Sequence, residues 1–323
     1  MNGRRRKSGM QTPVTTKKVP PSAFRMLLGR SFEELVKKGL GQTVARNLRW
    51  GEGPAWLADQ ERWLFSDIPN NRIMEWSAIS GLATYRQPAH YANGNFICAN
   101  GDLLTCEQEL RRVIRSNADG TSWVVCDQYR ERKLNSPNDV VEKSDGTIWF
   151  TDPTYGIISD LEGRKAPAEQ EHCGVYRFDP RTGQVISQIT ELEMPNGLCF
   201  SPAEDILFVA DSGADMGPHV TFNPDGPRDV YAFPMKHGLV SGPARLVRRV
   251  TAGVPDGIRC DADGFLWVST GNGIDCVAPA GNLLGSIHAA ETVSNLAFGG
   301  STSSQLFVTL ATSALLIDIG NTQ

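Results

Sequence analysis

Six phrases in the 323-residue sequence open with an oxygen-bearing side chain and run on into an alternating apolar stretch. They are Glu52-Gly-Pro-Ala-Trp, Asn93-Gly-Asn-Phe-Ile, Asn138-Asp-Val-Val, Asn196-Gly-Leu-Cys-Phe, Asp256-Gly-Ile-Arg-Cys and Asn295-Leu-Ala-Phe. Two of the six leading residues are carboxylates, four are amides, and none is His or Cys. If such residues converge on one point, hard oxygen donors suit Ca²⁺, or Mg²⁺ and Mn²⁺ with more water retained. Two carboxylates would neutralise a divalent ion and leave positions for water or substrate. Asn-Gly and Asp-Gly are also ordinary turn formers, but turn chemistry does not explain Glu52 in the same slot, nor Asn138 followed by Asp139. Fourteen or fifteen residues after each leading residue stand Asp67, Glu107, Asp152, Asp211, Thr270 and Thr309. These form a second register whose acids could make a wider polar collar for the hydroxyls of a sugar-like ligand, or could simply cap strand ends.

The elements that would position these side chains follow from the turns. Each phrase leads into a polar turn, such as Ser144-Asp-Gly or Ala262-Asp-Gly, and then a second apolar run such as Ile148-Trp-Phe or Leu266-Trp-Val. Period-2 alternation on both sides of such a turn reads as a β-hairpin. Recurrence at spacings of 41, 45, 58, 60 and 39 residues fits four strands per repeat and predicts an all-β, six-bladed β-propeller. In that fold the first strand of each blade lines the central channel, so the six leading residues form a ring at one face. Closing the ring needs an outer strand for the last blade, which Thr43 to Arg49 can supply. A sandwich does not explain a sixfold motif, and a doubly wound α/β fold needs helices that are absent here. The longest insertions, Pro153 to Gly174 and Ser212 to Asp229, leave the same face and are candidate lids.

Composition bounds the rest. Net charge is −4 from 32 basic and 36 acidic residues, which argues against bulk-charge nucleic-acid binding. No apolar run of membrane-spanning length occurs. The basic residues Arg4, Arg5, Arg6, Lys7, Lys17 and Lys18 lie in residues 1–22, which contain no acid and read as a disordered tail without a targeting h-region. Residues 23–42 form a connecting segment with a short helix near 31–38, where Ser31 and Glu34 make a capping box. Residues 43–323 are expected to form the single propeller domain. The seven cysteines are scattered with no C-x-x-C pair, so neither a zinc site nor a disulfide framework is expected, and a reducing, cytoplasmic setting fits. The five histidines do not cluster and no G-x-S-x-G occurs.

The phrases Glu52-Gly-Pro, Tyr91-Ala-Asn-Gly, Asn135-Ser-Pro-Asn-Asp-Val, Phe150-Thr-Asp-Pro-Thr-Tyr-Gly, Pro195-Asn-Gly-Leu, Pro255-Asp-Gly and Asn295-Leu-Ala-Phe-Gly-Gly, in this order, resemble the SMP-30/gluconolactonase/luciferin-regenerating-enzyme family, above all its bacterial gluconolactonase-like branch. The resemblance implies one divalent cation in the central channel, most readily Ca²⁺ with Mn²⁺, Mg²⁺ or Zn²⁺ as alternatives. It places the ligands on Glu52, Asn138, Asn196 and Asp256, with Asp256 also the catalytic acid/base. Asn93 and Asn295 then become pocket-wall residues. Asn93, Glu107, Asn135, Asp152, Tyr155 and Asp211 are the expected substrate contacts. Animal relatives that act on sugar lactones carry an Arg two residues before the third-blade Asn. Ser136 stands there in this chain, so its substrate contacts must differ.

The expected activity is metal-dependent hydrolysis of a sugar (aldono) lactone, such as gluconolactone, to the hydroxy acid. The cation would polarise the carbonyl, while Asp256 orients the attacking water and returns a proton to the ring oxygen. The expected partner is a small-molecule lactone, with no nucleic acid or membrane, for a monomer or weak homo-oligomer. Two rivals stay open. One is aryl-ester or phosphotriester hydrolysis on the same scaffold, which Trp and Phe at the mouth would favour. The other is a non-catalytic, calcium-stabilised binding propeller.

Overall fold

A computed structural model describes residues 27–301 and 303–319. The basic tail expected over residues 1–22 lies outside the described residues. Six antiparallel sheets of strands consecutive in the chain succeed one another around an axis as a six-bladed β-propeller. Blade 1 comprises Gly51–Leu57, Arg62–Asp67, Arg72–Ser77 and Gly81–Arg86; blade 2 comprises Ala92–Ile97, Leu103–Glu107, Arg112–Ser116 and Ser122–Cys126. Blade 3 is built from Val140–Glu142, Ile148–Asp152, Gly174–Asp179 and Gln184–Ile189. In blade 4, Pro195–Phe200, Ile206–Asp211 and Asp229–Lys236 are followed by an outer edge split between Leu239–Val240 and Arg245–Arg249. Blade 5 consists of Ile258–Cys260, Leu266–Thr270, Gly273–Val277 and Leu283–His288.

Blade 6 contributes Val293–Gly299, Gln305–Leu310 and Ser313–Asp318, and its fourth strand is the early segment Gly41–Arg46. That strand pairs antiparallel from Gly41 with Ile317 to Arg46 with Ser313. The closing strand therefore exists, displaced by two residues from its expected start. Its last expected residue, Arg49, instead donates its backbone N–H to Asp67 Oδ1 at 2.9 Å. The short helix is Phe32–Lys37, with the Ser31 hydroxyl accepting from Glu34 N at 3.2 Å. Its buried Phe32 and Leu35 join the apolar layer between blades 5 and 6.

Each pair of adjacent blades encloses one apolar layer. Trp63, Phe65, Phe307 and Leu316 fill the seam between blades 6 and 1; Leu104, Val140, Phe150 and Tyr176 fill that between blades 2 and 3. The second strands of blades 3 to 6 carry a bulky, wholly or nearly wholly buried residue three positions before their end, Trp149, Phe208, Trp267 and Phe307, whereas Trp63 of blade 1 stands one position earlier and faces the opposite seam. At roughly 25 cal/mol per Å² of apolar surface removed from water, these side chains hold the blades in fixed rotation about the channel. That in turn fixes where the inner-strand side chains point. Among the described residues, no helix is long and apolar enough to cross a membrane.

Candidate active site

The inner strands approach one another more closely than ordinary side chains permit. A Cβ on Gly53 would come within 2.2 Å of Asn93 O, on Gly94 within 2.5 Å of Asn138 O, and on Gly197 within 2.4 Å of Asp256 O. The glycines after the leading residues thus serve blade-to-blade contact rather than turns. Gly94 N donates to Asn138 O at 2.7 Å and Gly197 N to Asp256 O at 3.1 Å, so Asn138 and Asp256 are tied by their backbones to the preceding blade. In blade 1 a β-bulge follows Glu52, between it and Ala55, while in blades 2 and 4 the leading residue lies within the bulge, between Ala92 and Asn95 and between Pro195 and Leu198; a bulge re-aims the side chain beside it.

Five of the six leading residues, Glu52, Asn93, Asn138, Asn196 and Asp256, line one cavity of about 510 Å³. Glu52 and the three amides are buried, whereas Asp256 is half-buried and opens to the cavity. The sixth, Asn295, is turned away and does not line it. Its Nδ2 donates to Glu52 Oε2 at 2.9 Å, and Gly53 N donates to the same oxygen at 3.0 Å. Asn295 pairs in register with Thr309, and the bulge of its strand lies on its N-terminal side, between Val293 and Asn295. Deeper in the channel, Asp139 Oδ2 accepts from Arg259 Nη1 at 3.2 Å and from Leu198 N at 3.3 Å, joining the inner strands of blades 3, 4 and 5.

The cavity is strongly acidic. Glu162 and Asp215, from the two insertions, join Glu52 and Asp256 in its wall, and no Lys, Arg or His lines it among the described residues. Burial, followed by the facing Glu52 carboxylate, pushes Asp256 well above the ordinary carboxylate range, and burial also raises Glu52. Burial together with the Glu52 and Asp215 charges pushes Glu162 up to about 7. Two carboxylates facing each other without a basic partner, Glu52 buried and Asp256 half-buried, are costly as anions. The remaining donors at that point are amide oxygens. This set fits a hard divalent cation, with Glu52, Asn138, Asn196 and Asp256 as the residues that would hold it.

The structure does not bring Glu107, Asn135, Asp152 and Asp211 to this cavity, and the expected acidic collar is replaced by strand-end ties. Asp211 accepts from Met194 N at 3.0 Å and Glu193 N at 3.1 Å, and Asp152 Oδ2 from Asn135 N at 2.7 Å. Asp67 does the same for Arg49 N. At this register the carboxylate meets the unpaired N–H groups of the chain entering its own blade, and those N–H groups need acceptors. Glu107 pairs instead with Arg112 Nε at 2.7 Å and Arg86 at 3.3 Å. Asn135 Nδ2 donates to Asp152 O and His172 O, each at 3.3 Å, fastening both ends of the first insertion.

Both insertions reach the cavity. Tyr155 lines it, and its hydroxyl donates to Asp215 O at 2.9 Å, locking one insertion to the other. Pro218, Val220 and Phe222 come from the second insertion, and Trp50, Ile68 and Val254 from the loops beside the inner strands. The sequence reading missed Trp50, although it stands two residues before Glu52 and so shares its phase. The insertion residues carry no periodicity from which to place them.

Comparison with known proteins decides the family. The SMP-30/gluconolactonase/LRE-like region matches residues 50–312. The chain belongs to this family. Within the SMP-30/gluconolactonase family, it is 28% identical to a gluconolactonase of Zymomonas mobilis over 286 residues, covering 80% of this chain and 75% of that one. It is 27% identical to a pentonolactonase of Haloferax volcanii over 283 residues, 84% of each chain. The solved structure of a gluconolactonase from Xanthomonas campestris superposes with a TM-score of 0.80 at 30% identity, covering 97% of this chain and 98% of that one. In this member of the SMP-30/gluconolactonase family, Ser136 is fully buried; its hydroxyl donates to Pro153 O at 2.7 Å and accepts from Gly156 N at 3.0 Å. Ser136 therefore supports the root of the first insertion and contributes nothing to the cavity wall.

Proposed function

We propose that this protein is a lactonase that opens an aldono-lactone to its hydroxy acid, with a divalent cation, most readily Ca²⁺, held by Glu52, Asn138, Asn196 and Asp256. The observation that carries the reading is the convergence of two facing carboxylates and three amides from five blades on one acidic cavity that has no basic residue in its wall. The lactone-hydrolysing relatives support the reaction class. A cation bound there supplies Lewis acidity at the lactone carbonyl.

The protein's own groups do the rest. Asp256, the ring member open to the cavity, accepts a hydrogen bond from the attacking water and takes its proton as the water oxygen bonds to the carbonyl carbon. The ring C–O bond then breaks, and Asp256 returns the proton to the departing oxygen, so the carboxylate is regenerated. Glu52, pinned by Asn295 and Gly53, cannot rotate away and fixes the geometry opposite Asp256. Asn93 offers a neutral donor and acceptor for a ring hydroxyl, and Tyr155 walls the site where the insertions meet. Trp50 and Phe222 in the wall favour a second reading, aryl-ester hydrolysis by the same groups.

The test is a pH-indicator assay on D-glucono-1,5-lactone, a sugar 1,4-lactone and an aryl ester. It is run on chelated protein and after adding back Ca²⁺, Mn²⁺, Mg²⁺ or Zn²⁺, with spontaneous hydrolysis subtracted. Cation-restored lactone opening is the expected result. Turnover of the aryl ester alone replaces the reading with the second one. Turnover of nothing, together with a cation-dependent rise in melting temperature, makes the molecule a binding propeller.

A further inference from the structure

The cavity that holds the acidic ring has a second character that the lactonase reading leaves unused. Trp50, Ile68, Pro218, Val220, Phe222 and Val254 contribute an apolar part of its wall. Val220 and Phe222 are 46% and 40% exposed, large apolar side chains left open to water at the mouth of the site. They are not carried on a loose strand. The second insertion closes on itself through Asn223 N to Ala214 O at 2.7 Å and Ala214 N to Pro227 O at 2.9 Å, and it is tied to the first by the Tyr155 hydroxyl. Its glycines are close-packed, since a Cβ on Gly226 would lie 2.8 Å from Ala214 Cα. The carboxylates that could have served a polyol, Glu107, Asp152 and Asp211, are spent on backbone and arginine partners elsewhere. A hexonolactone of about a dozen non-hydrogen atoms would fill less than half of a cavity of about 510 Å³.

We infer that the preferred substrate is a lactone whose ring carries an apolar substituent, an alkyl chain or aryl group, seated against Trp50, Val220 and Phe222 while the carbonyl lies at Asp256. This inference rests on the lactonase reading and narrows it. Burying the substituent removes both its own surface and the exposed faces of Val220 and Phe222 from water, and each fully buried methylene strengthens binding by roughly three- to fourfold. The ring oxygens stay with Asn93 and the acidic side of the cavity.

The experiment compares δ-valerolactone, δ-octalactone, δ-decalactone and D-glucono-1,5-lactone on the cation-loaded full chain, for the parent protein and for Phe222→Ala, Phe222→Leu and Val220→Ser. The parent is expected to show kcat/KM rising along the alkyl series, mainly through KM, until the apolar wall is covered. In Phe222→Ala the ratio of kcat/KM for δ-decalactone to that for δ-valerolactone should fall at least about fivefold, with Phe222→Leu retaining most of it. Melting curves establish that the variants, altered at exposed positions, remain folded. A flat or falling alkyl series with gluconolactone turned over overturns the inference and leaves the lactonase reading standing. A rise that survives both Phe222→Ala and Val220→Ser also overturns it. Absence of turnover on every lactone with every cation brings down the lactonase reading itself.

Discussion

Asn295 is the ring residue that faces the wrong way for a ligand, and its environment makes a sharp prediction. It is 2% exposed, and its Oδ1 accepts from Leu296 N at 2.8 Å. A backbone N–H can only donate, so this bond settles the amide's orientation and aims Nδ2 at Glu52 Oε2, 2.9 Å away. Gly257 packs so tightly on the carboxamide that a Cβ there would sit 2.1 Å from it, so the side chain has no room to turn. Asn295→Ala removes a hydrogen bond to a carboxylate, worth about 1.5–3 kcal/mol. That corresponds to roughly a 10- to 150-fold loss in cation affinity, close to the 10- to 100-fold typical for residues that orient a metal ligand (about 10–100-fold). The assay is calorimetric titration of chelated protein with Ca²⁺, beside melting curves without cation. The melting curves isolate the separate cost of leaving Leu296 N unpaired, about 1–3 kcal/mol. Asn295→Asp is the control. It keeps the acceptor for Leu296 N but sets a third carboxylate against Glu52, so the cation-free protein should melt lower and gain more from added Ca²⁺ than the parent does. A dissociation constant for Asn295→Ala within twofold of the parent's would refute the claim that this amide positions Glu52.

Further outcomes follow from the same geometry. Asp256→Asn should lower kcat by about 10²–10⁴-fold while raising the melting temperature of the chelated protein, because Glu52 then faces a neutral amide; normal turnover would remove Asp256 from the chemistry. Gly94→Ala would set its Cβ 2.5 Å from Asn138 O and 2.7 Å from Asp139 Cα, forcing the two inner strands apart, and should destabilise the fold by about 3 kcal/mol or more, read as a shift in the urea midpoint at constant slope. Burial pushes Asp152 up to about 7, above its unfolded value, so the folded state holds a proton that the unfolded chain releases. Its contribution is fully present below about pH 4 and is lost as pH rises toward 7. Asp152→Asn, which retains an acceptor for Asn135 N, should therefore flatten the decline of stability across that window, and an unchanged pH profile would show that Asp152 ionises normally.

What the sequence disclosed and what it withheld divide along a physical line. The propeller was legible because six phrases share a phase and polar turns separate their alternating strands. The ring was legible because inner strands inherit that phase, as Glu52, Asn93, Asn138, Asn196 and Asp256 show by meeting in one cavity. The collar stayed open between ligand contact and strand-end capping because alternation reports which face a side chain leaves but not which partner competes for it. Asp152 and Asp211 met unpaired backbone N–H groups before they could meet a ligand. Asn295 had a readable signal. Leu296 follows it where Gly follows Glu52, Asn93 and Asn196, and at those glycines a Cβ would meet the next blade's backbone at 2.2, 2.5 and 2.4 Å. In blades 1, 2 and 4 a glycine after the leading residue goes with a side chain that lines the cavity, and at Asn295 its absence goes with a side chain turned to Glu52. Blade 3 tests the rule, because Asn138 lines the cavity with Asp139 in the glycine position. There the regular strand begins only at Val140, and Asp139 is held by Arg259 and Leu198 N. A late strand start and a buried ion pair stand there in place of the close backbone approach that the glycines allow in the other blades. The expected consequence is that Arg259→Met disturbs Asn138 more than any other ring residue, seen as weakened cation binding with the alkyl-lactone preference intact.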